Sequence, residues 1–179
     1  AMADESGREY LFRPVQERNV MEERFSPPPP GILSEILLLA RSGSARFVVT
    51  TEPRTLGHEI LPHLPVLLLE SSWRSIYIHA VDQPAADEAF SLAMPHDPDE
   101  WARELETLRA FHFDVVTVDL SGNAEEWTSS ALDVAAVAFL LWEEDDDRRA
   151  AYDAGIRWEL HIAREEGERL DWRLEPLRL

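Results

Sequence analysis

The pattern of apolar and polar positions divides the chain into short segments with two periodicities. Segments rich in β-branched residues, ARFVVTT at 45–51 and RSIYIHAV at 74–81, predict β-strands. The segment PVLLLE at 65–70 predicts another strand, and EAFSLAMP at 88–95 predicts a weaker one. The continuous apolar run VVTV at 115–118 is typical of a strand that is buried on both faces.

Helical spacing of apolar residues marks two further segments. In GILSEILLLARSG, residues 31–43, isoleucine and leucine recur every three or four positions, which predicts a short helix. The segment HDPDEWARELETLRAFHF, residues 96–113, carries the strongest helix signal in the chain. Asp97 suits the N-cap and Pro98 suits the first helical position, so we expect the helix to begin there.

A third helix is predicted from an almost uninterrupted apolar stretch. From 131 to 142 the only polar residue is Asp133. Asn123 can cap a preceding helical turn, with Glu126 three residues on as its capping-box partner. Because a helix that is apolar on nearly all sides is normally buried, we expect a central helix near 124–142 packed against the sheet.

The end of the chain has the pattern of a β-hairpin. Apolar residues alternate with polar ones at 158–162 and again at 170–174, and Glu166 and Gly167 supply a turn between them. These elements together predict an α+β (mixed α/β) fold with a roughly six-stranded mixed sheet, three or four helices and a C-terminal β-hairpin. Residues 1–30 predict an N-terminal arm that ends in the polyproline connector SPPPPG, and 31–179 a single α+β domain.

The charge of the chain narrows its possible partners. Among 179 residues, 35 acidic residues face 17 basic ones, which gives a net charge of −18. All the basic residues are arginine, which fits both GC-rich coding and adaptation to high salt. Free nucleic acid is a poor partner for such a surface, because phosphate binding draws on clustered positive charge. A basic protein is the expected partner.

The remaining composition excludes several classes of protein. The chain has no cysteine, so disulfides, thiol catalysis and thiolate metal sites are ruled out. No apolar run approaches the roughly 18 residues that a membrane span needs. The polar, acidic N-terminus is not a secretory signal, and we therefore expect a cytoplasmic protein without membrane contact.

One segment invites comparison with a metal site. GHEILPHLP at 57–65 begins like the zinc-protease signature H-E-x-x-H, but His58 and His63 are five positions apart instead of four, and Pro62 interrupts the helix between them. The segment therefore predicts a helix-to-loop transition with solvent-facing histidines. The candidate ligands that remain for some other metal geometry are His58, Glu59, His63 and Asp119.

Asp119 is a candidate for a second reason. It ends the predicted strand in DVVTVDLSG, and α/β proteins often place their chemistry where a strand ends. Neither G-x-G-x-x-G nor the P-loop pattern occurs, and no G-x-S-x-G elbow is present. The sequence predicts no cofactor and no catalytic residue.

The acidic charge and the missing catalytic motif favour one function over its alternatives. We expect a non-enzymatic acidic module that engages a basic protein surface, as an immunity-like or inhibitory protein does. The alternatives are an enzyme or small-ligand domain that uses the candidate metal ligands, and a structural subunit of a larger assembly. The predicted partner-binding residues are an aromatic anchor and an acidic run: Trp73, Glu143, Glu144, Asp145, Asp146 and Asp147.

Overall fold

The computed structural model of the protein describes residues 2–3, 9–10, 24–43, 45–69, 72–80, 91–95, 97–119, 125–142 and 148–178. The strands are β1 Met2–Ala3, β2 Glu9–Tyr10, β3 Ala45–Glu52, β4 Ser75–Ala80, β5 Ser91–Met94, β6 Val115–Asp119, β7 Val137–Leu141, β8 Trp158–Arg164 and β9 Leu170–Pro176. The helices are α1 Pro30–Arg41, α2 Arg54–Ile60, α3 Leu64–Leu68, α4 Pro98–Ala110, α5 Glu125–Leu132 and α6 Arg148–Asp153. Single 3-10 turns occupy Leu61–His63 and Glu166–Glu168.

Seven strands form one sheet in the order β5-β4-β6-β7-β3-β8-β9, while β1 and β2 pair separately. Every neighbouring pair in the large sheet is parallel except β8 and β9, which are antiparallel. The inner strands β6 and β7 are apolar on both faces because helices cover each side. The carboxyl ends of six parallel strands therefore meet at one edge of the sheet.

Two layers of helices bury the two faces of this sheet. On one face, here called the α2 face, side chains such as Phe47 and Phe139 pack with α1, α2 and α3. On the other, the α4 face, side chains such as Val48 and Val116 pack with α4, α5 and α6. Because successive residues of a strand point to opposite faces, each inner strand contributes to both cores.

Several sequence predictions are confirmed. The fold is mixed α/β and its sheet is mixed, since one of its strand pairs is antiparallel. The C-terminal hairpin is present as β8 and β9, with Gly167 in the turn at a φ of 79°. The side chain of Asp97 caps α4 by accepting a hydrogen bond from the Asp99 backbone N–H at 2.9 Å.

The predicted central helix near 124–142 is wrong. Helix α5 ends at Leu132, and the following residues form β7, an inner strand of the sheet. Likewise PVLLLE at 65–70 lies largely in α3, a fully buried helix, and not in a strand. A short apolar run has the same composition in a buried helix and in a strand covered on both faces, so its pattern does not separate the two. The main sheet has seven strands where roughly six were predicted, and the described ranges contain six α-helices where three or four were predicted.

The segment before α1 is attached to the hairpin. Phe25 is buried in the core of the α2 face. The Leu170 backbone N–H donates to the Ser26 hydroxyl at 2.8 Å, and the Trp172 indole N–H donates to the Ser26 carbonyl at 2.9 Å. The division into an arm at 1–30 and a domain at 31–179 stays a prediction. No helix in the described ranges is both long and apolar enough to cross a membrane.

Candidate functional site

The connections of two neighbouring strands diverge at the carboxyl edge of the sheet. Strand β3 continues into α2 on the α2 face, whereas its neighbour β7 is followed along the chain by α6 on the α4 face. In open α/β sheets, a crevice forms where adjacent strands send their connections to opposite faces, and ligands bind there. A cleft of about 390 Å³ lies at this point, within the size range of small-molecule sites.

The outer part of the cleft lies beside the turn from β3 into α2. Pro53, Arg54 and His58 line it. The Nδ1 atom of His58 donates to the carboxylate Oδ2 of Asp119 at 2.6 Å, since a carboxylate only accepts. This contact spans β7 and joins α2 to the end of β6. The His58 side chain is 42% exposed, so its second nitrogen, Nε2, is the atom left for a group in the cleft.

Asp119 is fully buried and holds a second hydrogen-bond donor. The Tyr77 hydroxyl donates to Asp119 Oδ2 at 3.1 Å. Burial, together with the charge of Asp119 and this hydrogen bond, raises the pKa of Tyr77 far above its ordinary value. The Tyr77 ring also stacks on the buried His79 ring, with centroids 5.5 Å apart. The His58 ring is therefore oriented by a buried polar cluster beneath it.

The inner wall of the cleft is formed by β3 and β8. The Thr50 hydroxyl lies 2.8 Å from His161 Nδ1 and 3.5 Å from Glu159 Oε2. Beside Glu159, the guanidinium of Arg148 lies 5.2 Å from the centre of the Trp142 ring and 3.6 Å from Glu159 Oε1. This wall presents carboxylate, imidazole, hydroxyl and guanidinium groups together.

A glycine sets the distance between α2 and the sheet. A Cβ atom at Gly57 would lie 2.5 Å from Leu141 Cδ1 and 3.0 Å from the Thr51 hydroxyl oxygen, closer than side-chain atoms pack. The Thr51 hydroxyl in turn donates to the Pro53 carbonyl at 3.1 Å, within the turn that leads into α2. The bare backbone at Gly57 lets α2 approach the ends of β3 and β7, and this approach brings the next residue, His58, within reach of Asp119.

The candidate metal ligands separate in the structure. His58 and Asp119 are in contact, but Glu59 forms an ion pair with Arg164 at 3.5 Å. His63 is not solvent-facing as predicted: it is buried and stacks with the Phe25 ring at 6.1 Å, because the Leu61–His63 turn packs under the core of the α2 face. Among the described residues, no group of three or more histidine, aspartate and glutamate side chains is arranged to hold a metal ion.

The predicted partner-binding residues are only partly within the described structure. Trp73 is half-buried and packs against the core of the α2 face. The acidic run Glu143–Asp147 lies outside the described residues. The proposed roles of Trp73 and of this run, and the basic protein partner itself, stay predictions.

Sequence reasoning missed most of the cleft. Thr50, Glu159 and Arg148 come from three elements that meet only because β8 pairs with β3 and α6 follows β7. One local signal indicates the site. In TTEPRTLGHE a strand is followed directly by a helix with a glycine near its start, and such a strand-to-helix connection lies at the carboxyl edge of the sheet.

Comparison with known proteins identifies a fold and no family. No protein-family model matches the chain, and no curated protein matches it in sequence. Among solved structures, the chain is similar to the VirB11 ATPase from the Brucella suis type IV secretion system, determined in complex with sulphate. The TM-score is 0.50 at 12% sequence identity, and the match covers 94% of this chain and 60% of that chain. The protein thus spans about three fifths of the ATPase it resembles in fold.

The fold corrects the functional prediction. The expectation of a non-enzymatic acidic protein-binding module, immunity-like or inhibitory, is contradicted by this comparison, because the solved structure that the chain resembles in fold is that of an ATPase. That expectation was drawn from a net charge of −18, and net charge describes the surface of a protein and not its fold. The absence of catalytic motifs also favours that expectation, but a motif reveals only a site whose residues lie close together in the sequence.

Proposed function

We propose that the protein is a nucleotide-binding domain that holds the phosphate groups of its ligand in the carboxyl-edge cleft between β3 and β7. One observation carries the proposal: the cleft lies at the topological switch point of a sheet whose fold is shared with an ATPase. The sulphate in that ATPase structure is an anion of the same class as a phosphate group. Although the chain has a charge of −18, the outer cleft is lined by Arg54 and by the imidazole of His58.

The connection after β3 lies between a strand and a helix, as a phosphate-binding loop does, but it consists of Pro53 alone, because β3 ends at Glu52 and α2 begins at Arg54. The P-loop pattern is G-x-x-x-x-G-K-[ST] between a strand and a helix. Aligned on Gly57, this chain has Glu52 at the first glycine, His58 at the lysine and Glu59 at the serine or threonine. We assign to His58 the phosphate contact that lysine makes in the P-loop, with Nε2 as the contacting atom and Asp119 as the group that orients the ring.

These departures from the P-loop pattern should impair nucleotide hydrolysis more than nucleotide binding. In P-loop proteins the lysine cradles the β- and γ-phosphates, and a hydroxyl and an aspartate hold Mg²⁺. Here the glutamate at the hydroxyl position pairs with Arg164, and Asp119 accepts hydrogen bonds from His58 and Tyr77. We therefore expect nucleotide affinity that does not depend on Mg²⁺, and hydrolysis far slower than the turnover of P-loop enzymes.

Calorimetric titration with ADP and ATP, with and without Mg²⁺, tests the proposal. We expect both nucleotides to bind the purified full chain with a stoichiometry of one. His58→Gln should weaken binding about tenfold, the value of a hydrogen bond to a charged group. The matched control is His112→Asn, an exposed histidine at the opposite, amino edge of the sheet, where asparagine tolerates the positive φ of 51°. Absence of nucleotide binding at millimolar concentration contradicts the proposal.

A further inference from the structure

The inner wall of the cleft contains a carboxylate whose hydrogen-bonding capacity is largely unused. The Glu159 side chain is only 18% exposed. Its polar contacts among the described residues are long, 3.5 Å to the Thr50 hydroxyl and 3.6 Å to Arg148 Nη1. A carboxylate has about four lone-pair positions, and contacts of this length satisfy them poorly. A ligand that brings hydroxyl groups to this wall would therefore gain strong, charge-assisted hydrogen bonds.

A flat cationic group faces the same space. The Arg148 guanidinium lies over the Trp142 ring, and it borders the cleft together with Glu159. Guanidinium planes stack on aromatic rings, and nucleobases use the same mode of contact. The inner half of the cleft thus combines a hydroxyl acceptor with a stacking surface, whereas the phosphate groups have been assigned to the outer half at His58.

We infer that the cleft selects a ribonucleotide over inorganic phosphates and over deoxyribonucleotides, with the ribose 2′-hydroxyl donating to Glu159 and the base lying beside Arg148. The inference rests on the proposed function. A carboxylate that accepts from a ribose hydroxyl is the arrangement by which dinucleotide-binding sites recognise their sugar. Inorganic polyphosphate offers no such donor and brings negative charge toward the carboxylate, which is repulsive.

The test compares ADP, 2′-deoxy-ADP and pyrophosphate as ligands of the full chain by calorimetric titration at one salt concentration. We expect ADP to bind about tenfold more tightly than 2′-deoxy-ADP, as the loss of one charge-assisted hydrogen bond predicts. In Glu159→Gln this preference should disappear, while pyrophosphate binds at least as tightly as it does to the wild type because a repulsive charge is gone; this binding also shows that the variant is folded. Glu165→Gln, at an exposed position beyond the end of β8, is the matched control and should keep the preference.

The outcomes separate the two levels of the proposal. If ADP and 2′-deoxy-ADP bind equally, or if Glu159→Gln keeps the preference for ADP, the ribose assignment is overturned while the nucleotide site stands. If Glu159→Gln fails to fold, Arg148→Met replaces it as the test of the inner wall, and unchanged selectivity for ADP over pyrophosphate in that variant overturns the inference. If none of the three ligands binds, the proposed function fails and the inference falls with it.

Discussion

His58 on α2 and Asp119 at the end of β6 are joined by a 2.6 Å hydrogen bond that passes over the intervening strand β7. The aspartate is fully buried, whereas the histidine is 42% exposed. A buried carboxylate without a hydrogen-bond donor is costly, so the contact holds α2 in place at the edge of the sheet as well as orienting the imidazole.

A double-mutant cycle between these residues should show coupling. We expect His58→Gln to lower the free energy of unfolding by about 1 to 3 kcal/mol, because it weakens the hydrogen bonding of a buried charge. Asp119→Asn removes that charge, so adding His58→Gln in this background should cost about 1 kcal/mol less than in the wild type. Urea unfolding measures each value. Strict additivity would contradict the coupling, and His112→Asn, at the other edge, should be additive with Asp119→Asn.

Alkaline pH should destabilise the protein through Tyr77. Its pKa is raised in the folded state by burial and by Asp119, so the folded protein retains the phenolic proton where the unfolded chain loses it, above about pH 10. The contribution of Tyr77 to the free energy of unfolding is therefore present below that pH and is lost as the pH rises above it. Tyr77→Phe should cost about 1 kcal/mol at neutral pH but reduce the alkaline loss of stability. Unfolding free energies of both proteins from about pH 8 to 11 provide the measurement, and equal slopes would refute the assignment.

Because Gly57 is closely packed, we expect a methyl group added at this position to lower the free energy of unfolding. Gly57→Ala should destabilise the protein by about 1 to 3 kcal/mol, the range for overpacking, because Leu141 and Thr51 must move. The cost should be smaller in a Leu141→Ala background, where the clashing atom is absent. Gly31→Ala in α1 is the matched control, since its added methyl group meets nothing within 4 Å. An equal loss at both glycines would exclude the packing explanation.

The acidic run Glu143–Asp147 should weaken nucleotide binding. It joins Trp142 to Arg148 along the chain, and both of these residues line the cleft. Neutralising its five acids as amides should raise ADP affinity at low salt, and the gain should shrink as salt screens the repulsion, with a Debye length of about 10 Å at 0.1 M. The control is neutralisation of Glu165, Glu166 and Glu168 in the hairpin turn. An ADP affinity that falls on neutralising the run would contradict repulsion.

The sequence predicts local elements well where they are encoded by their own residues. Helix α4 was located from Asp97, Pro98 and its apolar spacing, and the hairpin from alternation around Gly167. The residues of β7 predict a helix because an inner parallel strand has no polar face to reveal its period of two. Sequence patterns therefore fail most often for the strands at the centre of this sheet.

The site was accessible to sequence reasoning only as separate residues. His58 and Asp119 were both candidates, but their contact depends on α2 crossing β7, and the strand order follows from long-range pairing. Glu159 had no local signal at all, since its position in the cleft results from β8 pairing with β3. The charge of −18 describes the whole surface and does not locate the cleft.

The two sides of the cleft differ in how strongly the surrounding structure holds them in place. Thr50 and Glu159 belong to strands that are paired on both sides within the sheet, whereas Arg148 opens a six-residue helix with a single buried side chain, Ala151. Ladder hydrogen bonds resist displacement, and a short helix with little buried apolar surface does not. We therefore expect ligands of different size to displace the Arg148 side of the cleft, while the Glu159 side keeps its position.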